Sequence, residues 1–144
     1  MITKTFRGTL ADDEVERIRL GTIRGEIGYR IIKLNLMAYT PHVNDQESVV
    51  QIFTRPQTTA SATVAFTNPT LVGAATLTNE TDSRYYQPSV EVIFDTMKFN
   101  QDIYITHVDT HSGGSINYMI ELEVMKLNLD ESTVATLKDM RGRD

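Results

Sequence analysis

Residues 118–126, YMIELEVMK, alternate without a break: Tyr118, Ile120, Leu122 and Val124 fall in one row, and Met119, Glu121, Glu123 and Met125 in the other. A period of two is that of a strand with one face on a core and one face toward water. Just upstream, residues 103–108 (IYITHV) are mostly β-branched or aromatic, the side chains that suit a pleated, half-buried surface. Between the two runs, His111-Ser112-Gly113-Gly114-Ser115 supplies the positive φ that a connecting loop needs. The stretch 98–127 therefore reads as an antiparallel hairpin long enough to cross a sandwich, and the other segments are read against it.

Upstream, residues 29–39 (YRIIKLNLMAY) hold Ile32, Leu34, Leu36 and Ala38 in one row, with Tyr29, Ile31, Lys33, Asn35 and Met37 in the other. Residues 15–20, 48–54 and 90–94 are further strands, and Arg55-Pro56 stops the second of these because proline cannot donate to a ladder. Residues 3–10 alternate weakly, so 1–14 reads as an amino-terminal arm or edge strand. Residues 71–78 (LVGAATLT) are apolar but small and fit either a strand or a helical turn. After Leu127 the period changes: Asp130 can cap a short helix over 130–140, with Val134 and Leu137 at helical spacing. The reading is one all-β domain over 1–144, an antiparallel β-sandwich of jelly-roll type with a short carboxy-terminal helix. Ile32, Leu34, Leu36, Ile52, Ile105, Ile120 and Leu122 are expected inside.

The 144 residues suit a single sizeable core, and 40% hydrophobic with 23% charged residues is an ordinary globular composition. No apolar run approaches the length of a membrane span, and the amino terminus lacks the pattern of a secretory signal. Without cysteine there is no disulfide and no thiolate chemistry. Charge is uneven: residues 1–36 carry +2 and residues 37–144 carry −7, giving −5 overall. An acidic chain with no basic stripe is a poor nucleic-acid binder. A basic edge beside an acidic body suits contact between copies or with a complementary protein.

Candidate chemistry is sparse. His107, Asp109 and His111 stand two apart, a spacing that on a continuing strand would aim three ligands to one side, although the strand is expected to end near Asp109. Asp12, Asp13 and Glu14 are acidic but lack the spaced pattern of a calcium loop, which favours a solvated turn. Glu121 and Glu123 could support acid–base work, yet an exposed row of a strand looks the same. No nucleophile motif or phosphate loop is present, so the chain is read as a non-enzyme with no cofactor and no metal. Tyr85 and Tyr86, beside Arg84 and Gln87, form the most interface-like surface, since aromatics with a polar tip suit contacts.

RIRLGTIRGEIGYRIIKLNLM (17–37), FNQDIYITHVD (99–109) and NYMIELEVMKLNLDESTVATLKDMR (117–141) together resemble a family of small virion structural proteins encoded by tailed phages of marine bacteria. The likeness runs through most of the chain and is least characteristic over 57–86. It implies a virion component with a sandwich or jelly-roll body repeated in many copies. A chain without coiled coil, fibre repeat or membrane segment then points to a decoration (cement) protein on the phage head, made in the host cytoplasm. Its expected partners are the major capsid protein and copies of itself, for instance as a trimer, with neither nucleic acid nor membrane. Arg7, Arg17, Arg19, Arg24, Arg30, Tyr85 and Tyr86 are the candidate contacts, the arginines as bridges to carboxylates. Alternatives are a ring or adaptor component of the tail or neck, and a carbohydrate-binding module using Tyr85, Tyr86 and the loop between His107 and His111.

Overall fold

The structure, a computed structural model, describes residues 1–22, 25–41, 45–79, 89–94, 97–128 and 136. Eight strands follow in chain order: β1 (Ile2–Leu10), β2 (Glu14–Ile18), β3 (Ile27–Ala38), β4 (Gln46–Phe53), β5 (Leu71–Asn79), β6 (Ser89–Ile93), β7 (Ile103–Asp109) and β8 (Ile116–Lys126). They form two antiparallel sheets, β1-β8-β3 and β2-β7-β4-β5-β6. The fold is all-β. The helix expected over 130–140 lies outside the described residues, Thr136 excepted.

The inner rows of both sheets meet in one core. Ile120 and Leu122 of β8 and Ile31 and Leu34 of β3 share it with Ile103 and Ile105 of β7 and Val50 and Ile52 of β4. Each of these is at most 2% exposed, and burying such a side chain contributes about 1.5–3 kcal/mol. Small residues in β5 follow from the same packing. A side chain on Gly73 would sit 3.5 Å from the Ile52 tip and 3.6 Å from that of Ile31, so the strand passes close beneath two large neighbours. The segment 71–79 is thus a strand paired on both sides, and the helical-turn reading does not hold.

Two expectations are corrected. The first concerns β3, where a continuous alternation would bury Ile32. Ile31 pairs with Leu122 but Lys33 pairs with Glu121, so β3 spends two steps on one step of β8 and Ile32 is the extra residue of a bulge. The bulge exchanges the faces: Tyr29 and Ile31 point inward before it, Leu34 and Ala38 after it, and Ile32 is only half-buried. Leu36 is partly buried against the core.

The second concerns 98–127. β7 and β8 are not a hairpin, because they belong to opposite sheets and the link between them crosses the core's end. The Asp109 carboxylate accepts the amides of His111 (3.0 Å) and Gly114 (2.7 Å), and Gly113 takes φ 75°. These bonds bend the chain away from β7 at the point where a hairpin would have begun pairing. β8 pairs with β1 and β3 instead.

Candidate contact surfaces

The outer face of the three-stranded sheet is open. Register stacks its outward residues in rows across β1, β8 and β3: Thr3–Glu123–Arg30, Thr5–Glu121–Lys33, Arg7–Met119–Asn35 and Thr9–Asn117–Met37. Arg30 Nε donates to Glu123 Oε2 at 2.6 Å, so both charges of the first row are engaged. Glu121 lies opposite Lys33. Glu121 and Glu123, the candidate acid–base pair, are thus set among cations of a neighbouring strand. The last two rows line a shallow groove of about 610 Å³, in which Thr9 Oγ donates to Asn117 Oδ1 at 2.6 Å. Arg7 projects beside it and makes no ion pair among the described residues.

At the end where β2 leaves for β3, Asp102 organises the chain. Its Oδ2 accepts Arg17 Nε at 2.7 Å, and Nη2 of the same guanidinium also reaches this oxygen. Its Oδ1 accepts the amides of Leu20 and Gly21, both at 2.8 Å. Burial would raise this carboxyl, but the two amides and Arg17 outweigh it and hold it below its ordinary range. Arg19 is exposed at the same end, with Arg55 and Lys98 on the neighbouring loops. The described loops of the opposite end carry Asp12, Asp13 and Asp45 and no lysine or arginine. Among the described residues the body is therefore polarised along its strands, basic at one end, where Glu26 is also exposed, and acidic at the other.

The acidic end is built by a buried network. His107 Nδ1 lies 3.0 Å from the Ala11 carbonyl, which can only accept, so Nδ1 carries the proton and Nε2 accepts from Ser48 Oγ at 3.0 Å. Ser48 Oγ in turn accepts from Gln46 Nε2 at 2.6 Å. A serine hydroxyl bonded to a histidine resembles a nucleophile and its base. Here Ser48 is 1% and His107 0% exposed, and the histidine's far side meets a carbonyl, so no substrate reaches the pair. The network ties β4, β7 and the β1–β2 turn together.

Asp109 does the same for the loops. Besides His111 and Gly114, it accepts the amides of Glu47 and Ser112, at 3.0 and 3.3 Å. Burial by itself would raise this carboxyl; the amides of His111, Gly114, Glu47 and Ser112 more than offset it and hold it at about 2. Asp12 Oδ1 accepts the amide of Asp109 at 2.7 Å, and Glu14 Oε2 accepts that of Ala11 at 2.6 Å. Asp13, at φ 60°, completes the turn between them, a left-handed position that aspartate tolerates. The acidic triplet is a turn in which Asp12 and Glu14 bind amides.

Of the histidine–aspartate spacing, His107 points into the network, Asp109 into the loop, and His111 is exposed with Nε2 3.9 Å from Asp45 Oδ2. The three are not brought together, and among the described residues no group of three such side chains is placed to hold a metal ion. Of the other candidates, Arg17 and Arg30 hold carboxylates of their own chain, Arg7 and Arg19 are exposed, and Arg24, Tyr85 and Tyr86 lie outside the described residues.

Sequence reading missed the cover on the five-stranded sheet. Gln51 and Thr106 belong to its outer row yet are 2% and 1% exposed. The chain between β4 and β5 folds back there, where Gln51 Nε2 donates to the carbonyls of Ser61 (2.8 Å) and Thr63 (3.1 Å). Phe66 packs edge-on against Phe94, ring centroids 5.3 Å apart. The signal was the apolar outer row of Val49, Phe53, Tyr104 and Val108, too greasy for a face left to water. No known protein family and no curated protein matches the chain.

Proposed function

We propose that this chain is a structural protein of a tailed-phage virion, a decoration protein that caps the outside of the head lattice through its basic end. The observation that carries the reading is the charge polarity of the described residues, with Arg19 and Arg55 exposed at one end and Asp12, Asp13 and Asp45 at the other. A plug on a lattice needs one end that fits the capsid's carboxylates and one that faces water. Arg19 and its neighbours supply the first, and a carboxylate-rich rim keeps the second soluble. The resemblance of 17–37, 99–109 and 117–141 to small virion proteins of tailed phages supports the virion assignment.

A jelly roll is the proposed topology. Strands β1 and β8, first and last, lie side by side, as do β2 and β7, and β4 continues to β5, the nested wrapping of that fold. β6 pairs with β5 rather than closing the three-stranded sheet beside β3, which leaves that sheet one strand short.

A partner that binds only the assembled lattice stabilises it by mass action. Heads lacking the protein should therefore rupture at a lower temperature, and adding it back should restore them. Arg19→Glu with Arg55→Glu should restore them poorly. Equal rupture temperatures with and without the protein would end the proposal.

A further inference from the structure

Among the described residues four strands end the two sheets, and three of them carry a backbone device that discourages strand addition. β2 and β6 are five residues long. β3 is kinked by its bulge at Ile32 and bridged at Tyr29 by Phe99. Short edges, bulges and covering segments are the usual protections of a sheet edge. β1 has none of these and is guarded by charge alone, Lys4 in the core row and Arg7 on the outer face. It runs nine residues in unbroken register with β8, and no backbone hydrogen bond from another described segment falls on its outer side. Ile2 belongs to the core row, opposite Val124, yet is 72% exposed.

We propose that β1 pairs antiparallel with β1 of a second copy about a two-fold axis centred on Phe6, joining the two three-stranded sheets into one. Three features select this partner and this register. Phe6 is the middle residue of β1, so pairing centred there overlaps all nine residues, Ile2 meeting Leu10 and Thr3 meeting Thr9. Opposed residues share a face, and an axis through a residue pair keeps both cores on the same side of the joined sheet. Exposed Ile2 then lies beside the other copy's Leu10, and Lys4 beside its Gly8, over which the Tyr118 ring leans.

Charge selects the same arrangement. Centring one residue either way shortens the overlap, and centring on Arg7 or Lys4 opposes each of these to itself. In the Phe6 register Arg7 faces Thr5 of the second copy, and Glu121 stands next to that Thr5 on the following strand. Two strand spacings separate Arg7 from this Glu121, about 10 Å between backbones, a gap that an arginine and a glutamate span together. Arg7, which makes no ion pair among the described residues, thereby gains a carboxylate, twice over by symmetry.

The purified full chain tests this without any particle, so its outcome is separate from that of the virion reading. Sedimentation should give a dimer that dissociates on dilution. Thr5 is exposed, and its replacement alters what Arg7 of the second copy meets. Thr5→Glu should tighten the dimer, and Thr5→Arg weaken it, each by roughly twofold to thirtyfold for two symmetric cross-strand charge pairs. Because the chain has no cysteine, an equimolar mixture of Thr5→Cys and Arg7→Cys chains should form a disulfide-linked pair on mild oxidation more readily than either alone. A monomer at millimolar concentration, a trimer, or a dimer indifferent to both Thr5 replacements would overturn the proposal.

Discussion

Arg17 and Asp102 stand 85 residues apart in the chain, yet Arg17 Nε donates to Asp102 Oδ2 at 2.7 Å, and the bond is one of several that converge on a single carboxylate. The partners are not equivalent. Arg17 is half exposed and can turn to water, whereas Asp102 also holds the amides of Leu20 and Gly21.

Removing Asp102 should therefore cost far more than removing Arg17. Asp102→Ala strands two amides and is expected to destabilise the fold by roughly 2–3 kcal/mol; Arg17→Ala should have a small effect. Urea unfolding of the two variants checks the asymmetry, and equal losses would contradict it.

Asp109 makes a pH prediction. Its folded carboxyl titrates at about 2 against an ordinary 3.8, so the folded state binds its proton less readily than the unfolded chain. The stabilisation is full above pH 4 and is lost as pH falls from there through 2, amounting to about 2 kcal/mol. Urea midpoints measured across that window should fall steeply for the native chain. Asp109→Asn, less stable at neutral pH, should show a shallower acid limb; an unchanged limb would remove Asp109 as its source.

The bulge gives a test by deletion. Without Ile32, the sequence Ile31-Lys33-Leu34 alternates in step with β8, so the deletion should leave a folded protein within about 2 kcal/mol of the native one. Deleting Leu34 removes a core residue that is 2% exposed and shifts the register beyond it, and this chain should not fold. Thermal unfolding distinguishes the two.

Two glycines predict opposite outcomes. A methyl on Gly28 would lie 2.8 Å from Leu127 Cγ and still nearer one of its methyls, with Leu127 itself buried, so Gly28→Ala should cost about 1–3 kcal/mol. At Gly73 the nearest atom would be 3.5 Å away, ordinary contact, so Gly73→Ala should be neutral or stabilising by up to about 1 kcal/mol. Melting temperatures of the two variants check this.

What the sequence disclosed was local. Alternation in residues 118–126 located β8 and its inner row, and the β-branched run from Ile103 located β7, because period and propensity act within one segment. The partner of each strand was not legible. Asp109 reads as a polar residue at a strand end, and nothing local says that its carboxylate will gather amides from β4 and from the loop after β7 and send β8 to the other sheet. The face reversal at Ile32 likewise depends on register with β8. For the surfaces, the five candidate arginines look alike in sequence; only the fold shows that Arg17 and Arg30 are held by Asp102 and Glu123.

The central claim is that the protein decorates a head lattice, and counting its copies tests this most directly. Purified particles resolved on a stained gel should show it at a simple ratio to the major capsid protein, one to one or a small fraction of that. About a dozen copies per particle, the number of a closed ring at one vertex, would contradict the account.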